Sequence, residues 1–240
     1  MNYEDIFRER GDAYAHAMAT RPEARREEFL IPVSRAALRD GDVVVDVPAG
    51  GGYLQRYLPP AVRWLGHEPC ASFFTAGSAS DQPLLPLPWA DGQADAALSI
   101  AGVHHLDDRA PLYREIHRVL RPGGRFVLAD VHEESVVARF LDGFVGSYNS
   151  TGHRGNYLTA ADTGVLESCG FRVTGAERVR YHWWFASRDD MASFCRLLFD
   201  MRAIDIPAVT RGIEDILGVS PGEEGIGMCW ELYVLSAARR

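Results

Sequence analysis

The stretch Val43–Gly52 reads V-V-V-D-V-P-A-G-G-G, and it constrains the fold more than any other part of the chain. Three valines running into Asp46 predict a short strand buried on both faces. The glycines behind them let the backbone turn sharply and approach a ligand where a side chain would collide. Tyr53, Leu54, Tyr57 and Leu58 recur at helical spacing, so a helix is predicted to open directly after the turn. Strand, glycine turn and helix start together make a nucleotide-binding corner. A second strand is predicted over Val62–Gly66, and Glu68 follows its tip, 22 residues after Asp46. A carboxylate at that point can accept hydrogen bonds from both hydroxyls of a ribose.

The remaining elements alternate strand and helix, which predicts an α/β fold. Asp5–Met18 is an amphipathic helix. T-R-P-E at Thr20–Glu23 is a capping box opening a second helix to about Arg39, interrupted near Pro32. Ala94–Ile100 is a strand and Arg109–Leu120 a helix stopped by R-P-G-G, before the strand R-F-V-L-A-D. Further helices are predicted at Ser135–Tyr148 and Thr159–Cys169, and a long strand at Phe171–Trp184. Ser187 and Asp205 open two more helices, and Ile226–Ala237 is the last strand. The segment 187–224 therefore forms a helical cap inserted before the final strand. With 240 residues, a single α/β domain with this insertion fits better than two domains.

Composition removes whole classes of function. All 25 basic residues are arginine, so Schiff-base lysines and a P-loop lysine are excluded. The net charge of −8, with no basic run, argues against a nucleic-acid substrate. No apolar run approaches the roughly 20 residues of a membrane-spanning helix. The charged start M-N-Y-E-D-I-F-R-E-R is unlike a signal peptide, so a cytoplasmic protein, monomer or homodimer, is expected. Cys70, Cys169, Cys195 and Cys229 are scattered and form no C-x-x-C, which disfavours disulfides and structural zinc.

The D-V-P-A-G-G-G run resembles the D-x-G-x-G-x-G motif of class I S-adenosylmethionine-dependent methyltransferases, with Pro48 standing at the first glycine. L-P-L-P-W-A-D resembles the segment that lines the adenine pocket in that family, and L-R-P-G-G-R-F its helix-to-strand turn. These matches cover roughly Val43–Asp130. The resemblance implies a Rossmann-like, seven-stranded, mostly parallel sheet with helices on both faces. Within it, residues 1–40 form N-terminal helices that cover the cofactor, and 41–132 form the cofactor-binding core. Only twelve residues separate Glu68 from Asp81, so the second crossover helix is predicted to be a stub and the family's third strand short.

The resemblance also implies a site. Asp46, Pro48, Ala49, Gly50, Gly52, Glu68 and Pro69 would hold S-adenosylmethionine, or S-adenosylhomocysteine as product. Asp81, Leu87 and Trp89 would face the adenine, and Ser99 and Ile100 the methionine part. His104 and His105 lie just past a strand end, where ligands of open α/β sheets bind. Either they are a structural pair, or one takes a proton from the substrate, as a pKa near ~6.5 allows. Tyr14, Tyr148, His153, Arg154, Trp183 and Phe194 are the candidates for binding a small-molecule substrate. Arg154 is either a carboxylate clamp or a solvated loop residue, and Phe194 lines a pocket or completes the core. Glu68 is expected near solvent and dispensable to folding. The alternative function is a cofactor-binding, non-catalytic regulatory or partner-binding subunit.

Overall fold

The computed structural model describes residues 3–73 and 82–240. Helix α1 (Tyr3–Thr20) and helix α2 (Arg26–Ala36) precede strand β1 (Val43–Asp46). Strand β2 (Arg63–Gly66), strand β3 (Ala94–Ile100), helix α3 (Ala110–Val119) and strand β4 (Leu120–Asp130) follow. Helix α4 (Val136–Arg139), a π-helical segment (Phe140–Val145) and helix α5 (Gly146–Tyr148) form one uninterrupted run, opened by the Ser135 side chain accepting from the Ala138 N–H. Then come α6 (Asp162–Ser168), β5 (Phe171–Phe185), α7 (Arg188–Leu198), α8 (Ile206–Ile216), β6 (Val219–Gly222) and β7 (Gly225–Arg239).

The seven strands form one sheet in the order β2-β1-β3-β4-β7-β5, with β6 on β7. Strands β1 to β4 pair in parallel, and β7 runs antiparallel to β4, β5 and β6. Only β7 is therefore reversed, and the sheet is mostly parallel. Side chains alternate between its two faces. Val44, Ala96, Leu98, Val127 and Ala129 pack with α2, the π segment and the cap helices. Val45, Ala97, Phe126 and Leu128 pack with α3 and α6 on the other face. Fully buried Leu112, Ile116 and Val119 hold α3 there, each such side chain contributing roughly 1.5–3 kcal/mol.

The parallel strands all end on one edge. Asp46 ends β1, Glu68 follows β2, Ala101 to His105 follow β3, and Asp130 ends β4. The insertion between β5 and β7 leaves their hairpin intact, since they pair as far as Phe185↔Ile226. α7 packs on α1 and α8, so the cap lies over the sheet face that carries α1.

Several local expectations are corrected. Thr20 does not open a helix: it ends α1, its hydroxyl donates to the Ala17 carbonyl, and α2 starts after Arg25 without a side-chain cap. Pro32 does not interrupt α2, because it is buried with Phe29 and Ala36, and this packing offsets the lost backbone bond. After the glycine turn there is only one short 3-10 stretch, Tyr53–Tyr57. Gly50 and Gly52 both adopt positive φ, and Pro59 and Pro60 follow at once, so no full helix fits. Among the described residues the second crossover carries only the 3-10 turn Ala71–Phe73, and no strand lies between residues 82 and 93.

Candidate active site

The loop after β1 is held as a main-chain cradle. The Val47 N–H donates to the Leu98 carbonyl (3.2 Å) and the Ala49 N–H to the His67 carbonyl (2.9 Å). Asp46 is buried beneath it, accepting from the Trp64 indole N–H (3.1 Å), and burial pushes its carboxyl up to about 7. Glu68 accepts from the Gly50 N–H (2.7 Å), the Tyr3 hydroxyl (2.8 Å) and the Cys70 N–H (3.0 Å). Burial outweighs these donors and raises its carboxyl to about 6. A cavity lies between this loop, the Ile100–Gly102 backbone and the α1 aromatics Tyr3, Phe7 and Tyr14.

A second cavity adjoins it, and Phe7, Tyr14, Arg25 and Ala101 line both. Ala101 takes a φ of 49°, a left-handed conformation that is uncommon off glycine and collects at functional sites. The walls of this second lobe are Leu141, Trp183, Leu198, Phe199, Trp230 and Leu232, and its polar end carries Arg10, His104, His105 and His153. Trp183 and Trp230 are stacked, with ring centroids 4.3 Å apart.

Each histidine is set by its surroundings. His104 Nδ1 lies 2.7 Å from Asp130 Oδ1, and Asp130 also accepts the His104 and Val131 N–H groups. Burial acts to raise the Asp130 carboxyl, but His104 and the two N–H donors overcome it and hold it below the ordinary value. An ionised Asp130 fixes the proton on His104 Nδ1 and leaves Nε2 as an acceptor. His153 Nδ1 lies 3.0 Å from Asp142 Oδ1, which also accepts from the Tyr157 hydroxyl (2.6 Å). Asp142 sits in the π segment beside Leu141, so one stretch supplies both a wall and a histidine partner. His105 is pushed well below 6.5 by burial and by its neighbours His104, His153 and Arg10, which makes it a neutral imidazole. The three rings offer nitrogen atoms within 4.8 Å of one another, a spacing that a metal could draw together.

Arg25 crosses the boundary between the lobes. It is buried and paired with Glu28 through two contacts, 2.6 and 3.1 Å, lies over the Trp183 ring at 4.8 Å, and donates to the Tyr14 hydroxyl.

Asp46, Pro48, Ala49, Gly50 and Ile100 line the first lobe, and Glu68 touches its loop. Tyr14, His104, His105, His153 and Trp183 line the second. Other candidates stand elsewhere. Gly52 opens the 3-10 stretch, Pro69 is buried outside both lobes, and Ser99 is fully buried with its hydroxyl unpaired. Leu87 and Trp89 pack into the α3 side of the core, where the Leu87 N–H donates to Glu115. Asp81 lies outside the described residues.

Three substrate candidates are corrected. Phe194 is 2% exposed and packs on Trp183 and Phe185 as core; one turn on, Leu198 and then Phe199 reach the lobe instead. Tyr148 packs against Phe144 away from the lobes, and Arg154 is an exposed loop residue beside a separate surface recess. Glu68 is not dispensable at the surface: half-buried, it ties α1 to the glycine loop through Tyr3. Arg10, Arg25 with Glu28, Ala101 and Phe199 went unread in the sequence. For Arg10 a signal exists: Phe7, Arg10 and Tyr14 share one face of α1 at i, i+3, i+7, which puts a cation inside an apolar stripe.

Comparison with known proteins agrees with this geometry. Residues 45–128 match the family described as Methyltransferase domain. Methyltransferase GfsG of Streptomyces halstedii is 36% identical over 112 residues, which are 44% of this chain and 38% of that protein. A demethylmenaquinone methyltransferase of Mycolicibacterium vanbaalenii is 31% identical over 113 residues, 44% of this chain and 50% of that protein. The matches thus span half or less of these two relatives. Among solved structures, YcgJ of Bacillus subtilis superimposes with a TM-score of 0.62 at 16% identity, over 90% of this chain and 99% of that one, a likeness of fold. No helix among the described residues is long and apolar enough to cross a membrane. Glycine cradle, sheet topology and domain match converge: residues 45–128 match a methyltransferase domain, set in a Rossmann-like, mostly parallel sheet.

Proposed function

We propose that the chain transfers a methyl group from S-adenosylmethionine to a small-molecule acceptor, with the cofactor in the glycine-loop lobe and the acceptor in the aromatic lobe. The observation that carries this is the junction. Ala101 lines both lobes, and His104, oriented by Asp130, stands just beyond it. The cofactor supplies an electrophilic methyl on a sulfonium. The cradle at Pro48–Gly50 and the backbone at Ile100–Gly102 fit its methionine part, and Glu68 its ribose, on release of Tyr3 and Gly50. Asp46 supports the loop from below.

His104 Nε2 accepts the proton that the acceptor loses, and Asp130 stabilises the imidazolium that results. Trp183, Phe199 and Trp230 exclude water and orient an apolar acceptor. The names of the relatives, two of them methyltransferases, support methyl transfer; nothing in the site selects oxygen, nitrogen, sulfur or carbon. The test is turnover on a panel of small phenols, acids and amines, read as S-adenosylhomocysteine formed. His104→Gln is expected to lower it by about 10²–10⁴-fold with S-adenosylhomocysteine affinity unchanged. A second reading, binding without transfer, draws on Pro48, which stands at the motif's first glycine and lines the cradle for the methionine part. Tight S-adenosylmethionine binding without turnover of any acceptor would favour it.

A further inference from the structure

The polar atoms left without partners around the aromatic lobe share one property. Arg10 Nε and Trp230 Nε1 are buried and make no hydrogen bond among the described residues, and both are donors. Arg10 is 5% exposed and lines the lobe. No carboxylate among the described residues lies within ion-pair distance of it. Asp200, the acid that acts on it from farther off, is held by Arg202 (2.9 Å) and by Ser150. Glu28 is committed to Arg25, Asp130 to His104, and Asp142 to His153. A buried cation without a counter-ion is costly, and folds keep one where a ligand completes it.

We infer that Arg10 is the anchor of an anion subsite in the acceptor lobe, and that the acceptor is a small, flat, apolar molecule carrying one carboxylate. This rests on the proposal that the aromatic lobe receives the acceptor. One uncompensated guanidinium matches one negative charge, and its planar fork matches a carboxylate. Burial lowers the Arg10 guanidinium to about 10, still charged at neutral pH. His105 beside it is neutral and Arg25 is paired with Glu28, so among the described residues the lobe has no second uncompensated cation for a doubly charged phosphate. The same cation bears on the histidine cluster: its field reaches His105 and His153, and it repels a metal ion that those rings could otherwise ligate. The Trp230 N–H adds a donor, and the Trp183 and Trp230 rings, stacked on each other, present a flat aromatic wall.

Benzoate and phenylacetate are titrated calorimetrically against benzamide and phenylacetamide, with and without saturating S-adenosylhomocysteine. At least one acid is expected to bind about tenfold or more tightly than its own amide. Arg10→Gln should abolish that preference and Arg10→Lys retain part of it. S-adenosylhomocysteine affinity should be unchanged in both, and the melting temperature of Arg10→Gln unchanged or raised, since a buried lone charge is removed. The assignment is overturned by four results: no acid preference in the wild type; a preference that survives Arg10→Gln; a loss of S-adenosylhomocysteine affinity in Arg10→Gln, which would make Arg10 a cofactor contact; or stoichiometric zinc binding that His104→Ala or His153→Ala abolishes. If S-adenosylhomocysteine fails to bind while the acid preference stands, the cofactor reading falls and the anion subsite remains.

Discussion

Both lobes have aromatic walls, and their polar groups differ in kind. The first sets those rings against main chain and acids: Asp46 lies under the loop, and Glu68 gathers the Gly50, Tyr3 and Cys70 donors. The second is walled by aromatic rings, and its unpaired polar atoms are donors. One side suits hydroxyls and a sulfonium, the other an electron-rich group. The difference shows again in the two buried arginines. Arg25, at the boundary, has Glu28 as a fixed counter-ion and works as structure; Arg10, inside the second lobe, has none among the described residues. A cation already paired stabilises the fold, whereas one left open is available to a ligand.

The contrast can be broken first at Arg25. Glu28→Gln leaves that guanidinium buried and unpaired, and should cost about 3–5 kcal/mol in chemical denaturation. A loss near zero would put Arg25 on a level with Arg10 and dissolve the distinction. Phe194→Ala sharpens the boundary between lobe and core. Its ring is packed on Trp183 and Phe185, so a loss of about 3–5 kcal/mol is expected with S-adenosylhomocysteine affinity unchanged. An affinity change without a stability loss would return Phe194 to the pocket.

The acidic lobe makes a prediction about pH. The Asp46 carboxyl stands at about 7 in the fold against an ordinary 3.8, so the native state holds its proton more tightly than the unfolded chain. That contribution is complete below 3.8 and fades as pH rises through about 7. Between pH 5 and 8 it amounts to at most about 3 kcal/mol. Denaturation curves at the two pH values should show the wild type losing more stability than Asp46→Asn. Equal losses would mean that Asp46 is solvated.

The same contrast explains what could be read from the sequence. Val43–Gly52 and the L-R-P-G-G-R-F turn are each short runs, Glu68 follows a strand tip, and their strand-turn chemistry is local, so the loop of the first lobe and the sheet were legible. The second lobe draws single side chains from α1, the exit of β3, the π segment, the loop at His153, β5, the end of α7 and β7. No local period brings Arg10 beside Trp230. Phe194 and Leu198 show the limit: they lie about one turn apart on α7, and only tertiary packing decides which reaches the cavity. The T-R-P-E box misled because Thr20 found its partner one turn back, within α1.

The central claim is that the acid-lined lobe holds the cofactor, and calorimetric titration with S-adenosylhomocysteine tests it most directly. The wild-type chain should bind one equivalent saturably. Glu68→Ala should bind about tenfold or more weakly, since charged hydrogen bonds of about 1.5–3 kcal/mol are lost. No binding heat from the folded wild-type chain, or equal affinity in Glu68→Ala, would contradict the account.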